Sequence, residues 1–253
     1  MIDYSTEFQG KRVLVTGGSR GIGAAAAQRF IDGGATVAVT ARSTHEQTPK
    51  GATYIKGDLS TKAGAEAIAA ETLKILGGLD ILVNCASAAA PKLPGIEAIS
   101  DEEWIDSLTI NFMGIVRVTY PLLNALKESH GNIINVSSGG VIPFHGFFAH
   151  YAAAKAALNN YTKTLAKELA PAGVRVNIVT PGGIVTPGGD EVRKPLLEAM
   201  GITAEQFFSG APLEGRPGTA EELGEMIVFL ASERASYITG HNHFVSGGFG
   251  ELV

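Results

Sequence analysis

The chain has 253 residues, carries a formal net charge of −5 at pH 7, and is 45% hydrophobic and 18% charged. This composition excludes an intrinsically disordered chain, and the acidic charge provides no basic surface for nucleic acid or an anionic membrane. The single cysteine, Cys85, cannot form an intrachain disulfide. No apolar run is long enough to span a bilayer, and the polar first residues do not resemble a secretory signal. We therefore expect a cytoplasmic protein that binds neither nucleic acid nor a membrane.

Short apolar segments alternate with longer segments of helical periodicity along the chain. Strands are predicted at 11–16, 35–40, 53–55, 80–84, 132–137, 174–179 and 243–245. Helices are predicted from the glycines after residue 16 to about 32, and over about 61–76, 100–127, 150–170 and 219–231. This alternation is typical of a parallel sheet covered by helices on both faces, with right-handed crossovers. We predict one α/β domain over 1–253, a doubly wound Rossmann-type sheet of about seven strands.

Two segments depart from this pattern. Residues 181–216 are rich in proline and glycine and contain only a short helical piece at about 195–200, which predicts an irregular substrate lid at about 183–216. The predicted helix at 103–127 is apolar on more than one stripe. Such a helix is buried on two sides, and we expect another subunit to cover the second side.

A glycine-rich turn joins the first strand to the first helix, with the sequence Thr16-Gly17-Gly18-Ser19-Arg20-Gly21-Ile22-Gly23. Glycines permit positive φ angles and let the backbone approach a ligand closely. The free N–H groups at the start of the following helix favour a phosphate group. In an alternating β/α chain, this turn predicts a dinucleotide site.

The end of the second strand indicates which dinucleotide is bound. NAD sites usually have an acidic residue there, which accepts a hydrogen bond from the ribose 2′-hydroxyl. Here the strand ends Thr40-Ala41-Arg42-Ser43, and the first carboxylate is Glu46. Arg42 and Arg20 could bind a 2′-phosphate through charge-assisted hydrogen bonds. We therefore predict that NADP(H) is favoured over NAD(H).

A tyrosine, a lysine and a serine form the candidate catalytic group. Tyr151 and Lys155 are four residues apart on a predicted helix, so they lie on one face. A nearby ammonium favours phenolate, and we expect Lys155 to lower the pKa of Tyr151 toward the range useful for proton transfer. Ser138 ends the fifth strand, at the edge of the sheet where ligands bind.

These motifs, in this order, resemble the short-chain dehydrogenase/reductase superfamily over about residues 10–248. The resemblance implies four catalytic residues, namely Asn111, Ser138, Tyr151 and Lys155. It also implies the following cofactor-binding residues: Thr16, Gly17, Ser19, Arg20, Gly21, Ile22, Gly23, Arg42, Asp58, Leu59, Asn84, Tyr151, Lys155, Pro181, Gly182, Ile184 and Thr186. The chain departs from the family in having Asn84-Cys85-Ala86-Ser87 instead of Asn-Asn-Ala-Gly, and Ser246-Gly247-Gly248 instead of Asp-Gly-Gly.

The reaction implied by this resemblance is the NADPH-dependent reduction of a ketone or aldehyde, or in reverse the oxidation of a secondary alcohol. Tyr151 would exchange the proton, and Ser138 would stabilise the developing oxyanion. Lys155 would also bind the nicotinamide ribose, and Asn111 would hold a water that links Lys155 to solvent. No metal is required, because the phenol and the serine polarise the carbonyl.

The segment between Ser138 and Tyr151 bears on the substrate. We expect Ser138, Phe144, Phe148 and Tyr151 to line the substrate pocket, and the phenylalanines suit an apolar or ring-bearing substrate or packing under the lid. The alternatives are an NAD-dependent dehydrogenase of secondary alcohols or sugars, a 3-oxoacyl-type ketoreductase, and a non-catalytic protein that senses the cofactor. The resemblance also implies a homotetramer or homodimer formed through the helices at 103–127 and 150–170.

Overall fold

A seven-stranded parallel sheet forms the centre of the protein, in a computed structural model that describes residues 4–139, 146–209 and 211–248. The strands are β1 (Arg12–Thr16), β2 (Thr36–Ala41), β3 (Thr53–Lys56), β4 (Ile81–Asn84), β5 (Asn132–Val136), β6 (Arg175–Pro181) and β7 (Asn242–Val245). Their order across the sheet is β3-β2-β1-β4-β5-β6-β7, so the direction of winding reverses between β1 and β4. Such a reversal opens a crevice at the carboxyl ends of the strands, where α/β proteins bind ligands. The predicted sheet is confirmed.

Eight α-helices connect or follow the strands in the described part of the chain. They are α1 (Gly21–Asp32), α2 (Lys62–Leu76), α3 (Asp101–Leu108), α4 (Gly114–Glu128), α5 (Ala149–Leu169), α6 (Pro187–Met200), α7 (Ala204–Phe208) and α8 (Ala220–Ala231). The capping boxes at Ser100 and Thr219 start α3 and α8 as their sequences predict. In the described residues, no helix combines the length and apolar character needed to cross a membrane.

The helices cover both faces of the sheet and create two hydrophobic cores. Neighbouring residues on β1 point to opposite faces, so Val13 and Val15 join the core that includes Phe30 of α1, whereas Leu14 joins the core that includes Leu122 of α4. All five side chains are completely buried. Because the strands are covered on both sides, their sequences read as continuous apolar runs.

The single helix predicted at 103–127 is interrupted in the structure. A π-helical turn at Thr109–Met113 separates α3 from α4. The apolar side of α4 that faces the sheet is buried in the core. In contrast, Tyr120 of α4 is 76% exposed, and Ile105 of α3 is 55% exposed. The described part of the chain therefore leaves Ile105 and Tyr120 uncovered.

The prediction of an irregular segment over 181–216 was wrong. Two helices, α6 and α7, occupy most of it, and the helical piece predicted at 195–200 is only the second half of α6. Thr186 begins α6 by accepting a hydrogen bond from the Gly189 N–H, and Thr203 with Gln206 forms a capping box at α7. These capping residues can be recognised in the sequence. They favour helices in this segment more strongly than its proline and glycine content favours irregular structure. That the segment acts as a lid stays a prediction.

Candidate active site

The glycine turn closes tightly against its surroundings at the carboxyl end of β1. Gly17 has a φ of +67°, and a Cβ atom there would lie 2.8 Å from the Ala86 Cα. A Cβ atom on Gly23 would lie 2.3 Å from the Gly17 carbonyl oxygen. No side chain larger than hydrogen fits at these positions unless the backbone moves. The turn therefore offers a bare backbone surface next to the start of α1.

The start of α1 is able to bind an anionic group. No acidic residue occupies its first turn, and the Gly21 N–H donates a 2.9 Å hydrogen bond to Oε1 of the exposed Gln47. This contact shows that the N–H is open to an oxygen acceptor from outside the helix. The glycine cradle and this donor together fit the diphosphate of a dinucleotide.

A short segment after β4 connects Thr16, at the start of the glycine turn, to Asn111, one of the candidate catalytic residues. The buried Thr16 hydroxyl accepts hydrogen bonds from the N–H groups of Cys85 and Ala86, both at 3.2 Å. The Thr16 side chain, predicted to bind the cofactor, thus fixes the segment that follows β4. Its contribution to a nucleotide site is to position this backbone.

Asn111 holds the other end of the same segment. Its Oδ1 accepts a 3.0 Å hydrogen bond from the Ala88 N–H, and its Nδ2 donates to the Ala88 carbonyl at 2.9 Å and to the Ser107 carbonyl at 3.0 Å. Asn111 is completely buried in the π-helical turn, a distortion that is frequent at functional sites. The Asn111 amide thus binds Ala88 and Ser107, and that Asn111 holds a water for Lys155 stays a prediction.

Lys155 is a buried cation beside Tyr151, the candidate catalytic tyrosine. It is 1% exposed, and its Nζ donates a 2.9 Å hydrogen bond to the Val136 carbonyl at the end of β5. Burial disfavours the charged form and lowers the pKa of Lys155 to about 8. At pH 7 the side chain is still mainly an ammonium.

The side chains of Ser138, two residues after β5, and of Ser87, after β4, lie close enough to Tyr151 to lower its pKa. The Lys155 Nζ lies 5.8 Å from the centre of the Tyr151 ring. Burial raises the pKa of Tyr151, and the two serines oppose this effect only in part. The net lowering of the Tyr151 pKa that the sequence predicts is therefore not found, because desolvation of the phenolate outweighs the opposing effects.

The loops after β5, β6 and β7 meet beside these residues. A Cβ atom on Gly139 would lie 3.3 Å from the Pro181 carbonyl oxygen, and the Gly182 N–H donates a 3.0 Å hydrogen bond to the Val245 carbonyl. Thr186 lies against the glycine turn, since a Cβ atom on Gly21 would be 3.3 Å from the Thr186 Cβ. The β6 loop and the glycine turn thus face each other, while Ile184 is buried in the core.

The two arginines predicted to bind a 2′-phosphate have different surroundings. Arg20 forms an ion pair with Glu191 of α6, at 2.8 Å. Arg42 is exposed and contributes to lowering the pKa of Asp58, although the main causes are the hydrogen bonds from Ser60. Arg42 therefore lies close to Asp58 at the carboxyl ends of β2 and β3.

The remaining predicted residues are less accessible to a ligand. The Asn84 side chain is completely buried and donates to Asn135 at 2.9 Å and Thr119 at 3.2 Å, so it faces the interior and not the crevice. Three further predicted cofactor residues are at least partly buried, namely Ser19, Ile22 and Leu59. Phe148 is half-buried at the start of α5, and Phe144 lies outside the described residues.

Comparison with known proteins agrees with this geometry. Residues 17–250 match the family model described as enoyl-(acyl carrier protein) reductase. The chain is 36% identical over 263 residues to glucose 1-dehydrogenase of Gluconobacter oxydans (strain 621H), which covers 97% of this chain and 94% of that protein. The chain belongs to the short-chain dehydrogenase/reductase family.

Two other relatives support the same assignment. This short-chain dehydrogenase/reductase is 36% identical over 253 residues to 3-oxoacyl-(acyl-carrier-protein) reductase FabG of Escherichia coli (strain K12), covering 95% of this chain and 98% of the relative. A variant of actinorhodin polyketide ketoreductase, solved with NADPH, superimposes with a TM-score of 0.87 at 30% identity, over 96% of this chain and 98% of that chain. The protein is therefore an NAD(P)-dependent oxidoreductase that acts on CH–OH or C=O groups of small molecules.

The structure of this short-chain dehydrogenase/reductase adds two residues that sequence reasoning did not place at the site. Gln47 contacts the start of α1, and Glu191 pairs with Arg20. Both belong to exposed polar segments whose local pattern resembles solvated surface, so no sequence signal distinguishes them. Among the described residues, no group of three or more His, Cys, Asp and Glu side chains could hold a metal ion.

Proposed function

We propose that the protein catalyses the NADPH-dependent reduction of a ketone or aldehyde, with Tyr151 as the proton donor. The observation that carries this proposal is that Tyr151 lies with its ring centre 5.8 Å from the Nζ of the buried Lys155 and close to Ser138, at the carboxyl edge of the sheet where the glycine turn also lies. A hydroxyl pair of this kind can bind one carbonyl oxygen from two directions. The FabG relative and the ketoreductase solved with NADPH support this direction of reaction.

The residues would act together on one oxygen atom. A bound NADPH supplies the hydride that the carbonyl carbon receives. Ser138 donates a hydrogen bond to the carbonyl oxygen as negative charge develops there, and Tyr151 transfers its proton to the same oxygen. The product is the alcohol, and the Tyr151 phenolate is reprotonated from solvent. Lys155 stabilises that phenolate by its positive charge, which lies 5.8 Å from the ring centre.

Spectrophotometric assays test the proposed reaction. Purified protein is mixed with NADPH or NADH and a panel of aliphatic, aromatic and cyclic ketones, aldehydes and 3-oxoacyl thioesters, and the absorbance of the reduced nicotinamide is followed. The reverse reaction is tested with NADP⁺ or NAD⁺ and secondary alcohols or aldoses. Consumption of NADPH with at least one carbonyl is the expected result. Failure with every carbonyl and turnover of alcohols only would contradict the proposed direction.

The cofactor preference depends on Arg42. We expect Arg42→Ala to weaken NADPH binding by about tenfold, because a charge-assisted hydrogen bond to the 2′-phosphate is lost. NADH, which has no 2′-phosphate, should bind as in the wild type. Dissociation constants measured by fluorescence titration for both cofactors check this prediction.

The matched control for Arg42→Ala is Lys62→Ala, which removes a surface cation of α2 that pairs with Glu66. It should leave both dissociation constants unchanged. If Arg42→Ala weakens NADPH and NADH binding equally, Arg42 does not bind the 2′-phosphate. The proposed preference for NADPH then loses its support.

A sugar or secondary-alcohol dehydrogenase is the second candidate function. The glucose 1-dehydrogenase relative favours it, and so does the exposed Ser87 near Tyr151, since a polyhydroxylated substrate needs several hydrogen-bonding partners. Faster turnover of an aldose with NAD⁺ than of any carbonyl with NADPH in the same assays would make it the preferred function.

We also propose that the protein assembles as a homotetramer or homodimer through the predicted 103–127 and 150–170 helices. The support is the uncovered apolar stripe on α3 and α4, which includes Ile105, Leu108, Met113 and Tyr120. An exposed apolar stripe of this kind marks an interaction surface. The cytoplasmic location predicted from the sequence stays a prediction.

Tyr120→Glu is expected to reduce the molar mass in solution to half of the wild-type value or less. The substitution places a charge in the apolar stripe, which would have to be buried unpaired in an interface. Light scattering coupled to gel filtration measures the mass. Lys127→Glu, an exposed change near the end of α4, is the control and should leave the mass unchanged. A monomeric wild type would contradict the proposed assembly.

A further inference from the structure

A carboxylate of α6 binds one of the two arginines that are predicted to hold the cofactor phosphate. Oε1 of Glu191 accepts a 2.8 Å hydrogen bond from Nη1 of Arg20, and Oε2 accepts a 3.1 Å hydrogen bond from Nη2. In this bidentate arrangement a guanidinium binds a carboxylate or a phosphate through two parallel hydrogen bonds. Both terminal nitrogens of Arg20 therefore donate to Glu191.

The start of α6 is packed against the glycine turn, which brings the two side chains together. A Cβ atom on Gly21 would lie 3.3 Å from the Thr186 Cβ, and a Cβ atom on Gly188 would lie 3.4 Å from Nη2 of Arg20. Thr186 is also the N-cap of α6, so this contact fixes where the helix begins. Glu191 thus reaches Arg20 from a helix end that already touches the turn.

The neighbouring charged groups leave this pair intact. Asp190, the residue before Glu191, binds Arg193 of the same helix at 2.6 Å. The hydrogen bond from Arg20 is the main cause that lowers the pKa of Glu191, and the charge of His45, in the loop after β2, acts in the same direction. Glu191 is therefore ionised at pH 7 and places a full negative charge beside Arg20.

A cofactor phosphate and Glu191 need the same donors of Arg20. A guanidinium has five N–H groups in one plane, and a phosphate that approaches the two terminal nitrogens meets a carboxylate of like charge there. The phosphate must therefore displace Glu191 before it can bind Arg20 in the bidentate manner. The pair is exposed, with 36% of the Arg20 side chain and 64% of the Glu191 side chain accessible, so it is weak enough to be displaced.

We propose that Glu191 is a specificity-determining residue, which competes with the 2′-phosphate of NADPH for Arg20 and so reduces the preference for NADPH over NADH. This inference rests on the proposed function, with Arg20 as the second arginine that binds the 2′-phosphate beside Arg42. NADH carries a hydroxyl at that position, so it binds without displacing Glu191.

Glu191→Gln tests the inference, because it removes the charge and keeps the size of the side chain. We expect the Kd of NADPH to fall about two- to fivefold, the range that corresponds to the loss of an exposed ion pair, while the Kd of NADH stays the same. Arg20→Ala should weaken NADPH binding, and adding Glu191→Gln to Arg20→Ala should have no further effect. Fluorescence titration measures all these constants and needs no turnover.

The matched control is Glu198→Gln, which removes an exposed carboxylate about two turns later on α6 and should change neither Kd. Equal tightening of NADPH and NADH by Glu191→Gln, or tightening that persists in Arg20→Ala, would show a general effect of charge and would overturn the competition. An unchanged or higher Kd for NADPH would overturn it as well, since Glu191 would then be neutral toward the phosphate or would orient Arg20 for it.

The same titrations separate this inference from the proposed function. If Arg20→Ala and Arg42→Ala both leave NADPH binding unchanged, the proposed cofactor preference fails together with the role of Glu191. If both variants weaken NADPH binding and Glu191→Gln does not strengthen it, only the role of Glu191 fails.

Discussion

Tyr151→Phe is expected to lower turnover by about 10³-fold or more, within the range that a general acid contributes. The substitution removes only the hydroxyl that lies near Ser138 and Ser87. The ring and its packing above Lys155 remain, so cofactor affinity should change by less than about twofold. Steady-state rates and fluorescence titration with NADPH measure the two quantities separately.

Tyr161→Phe is the matched control for this experiment. Tyr161 lies on the same helix, α5, and packs edge-on against Phe112 with a 5.9 Å centroid distance. Loss of its hydroxyl should leave turnover unchanged. A Tyr151→Phe protein that keeps more than about a tenth of the wild-type rate would show that another group transfers the proton.

Gly23→Ala is expected to weaken cofactor binding by up to about 100-fold. The new Cβ would lie 2.3 Å from the Gly17 carbonyl oxygen, so the turn must move away from α1. Overpacking against a rigid backbone costs up to about 3 kcal/mol. If the free protein relieves this strain by moving the turn and the cofactor-bound protein cannot, the cost corresponds to roughly a 100-fold loss of affinity. Calorimetric or fluorescence titration with NADPH measures the loss.

The chain provides a control with the same substitution in a helix. A Cβ atom on Gly224 of α8 would have its nearest neighbour at 3.4 Å, an ordinary contact. Gly224→Ala should therefore bind NADPH normally and gain up to about 1 kcal/mol of stability from helix propensity. Normal binding by Gly23→Ala would mean that the turn does not form the nucleotide site.

The strands, most helices and the catalytic residue types follow from the sequence because they depend on local patterns. Continuous apolar runs such as Val13-Leu14-Val15 identify strands buried on both faces, and the buried cores confirm them. The Ser100 and Thr219 capping boxes identify helix starts. The caps at Thr186 and Thr203 carry the same information, although composition alone suggested an irregular segment there.

Interactions between distant parts of the chain could not be predicted in this way. The pKa of Tyr151 depends on how completely the ring is buried and on a serine 64 positions earlier, Ser87, and no local spacing reports either quantity. The same applies to Asn111, whose side-chain amide binds the backbone of Ala88, 23 positions earlier.

The amino-acid order by itself determined the doubly wound sheet, the glycine turn and the pairing of Tyr151 with Lys155 on one helix. Only the tertiary structure decided that Lys155 donates to Val136, that Glu191 pairs with Arg20, and that Asn84 faces the interior. Backbone conformation and helix periodicity are encoded within a few residues. Desolvation and hydrogen-bond partners are set by whichever segments the fold brings together, and these are far apart in the chain.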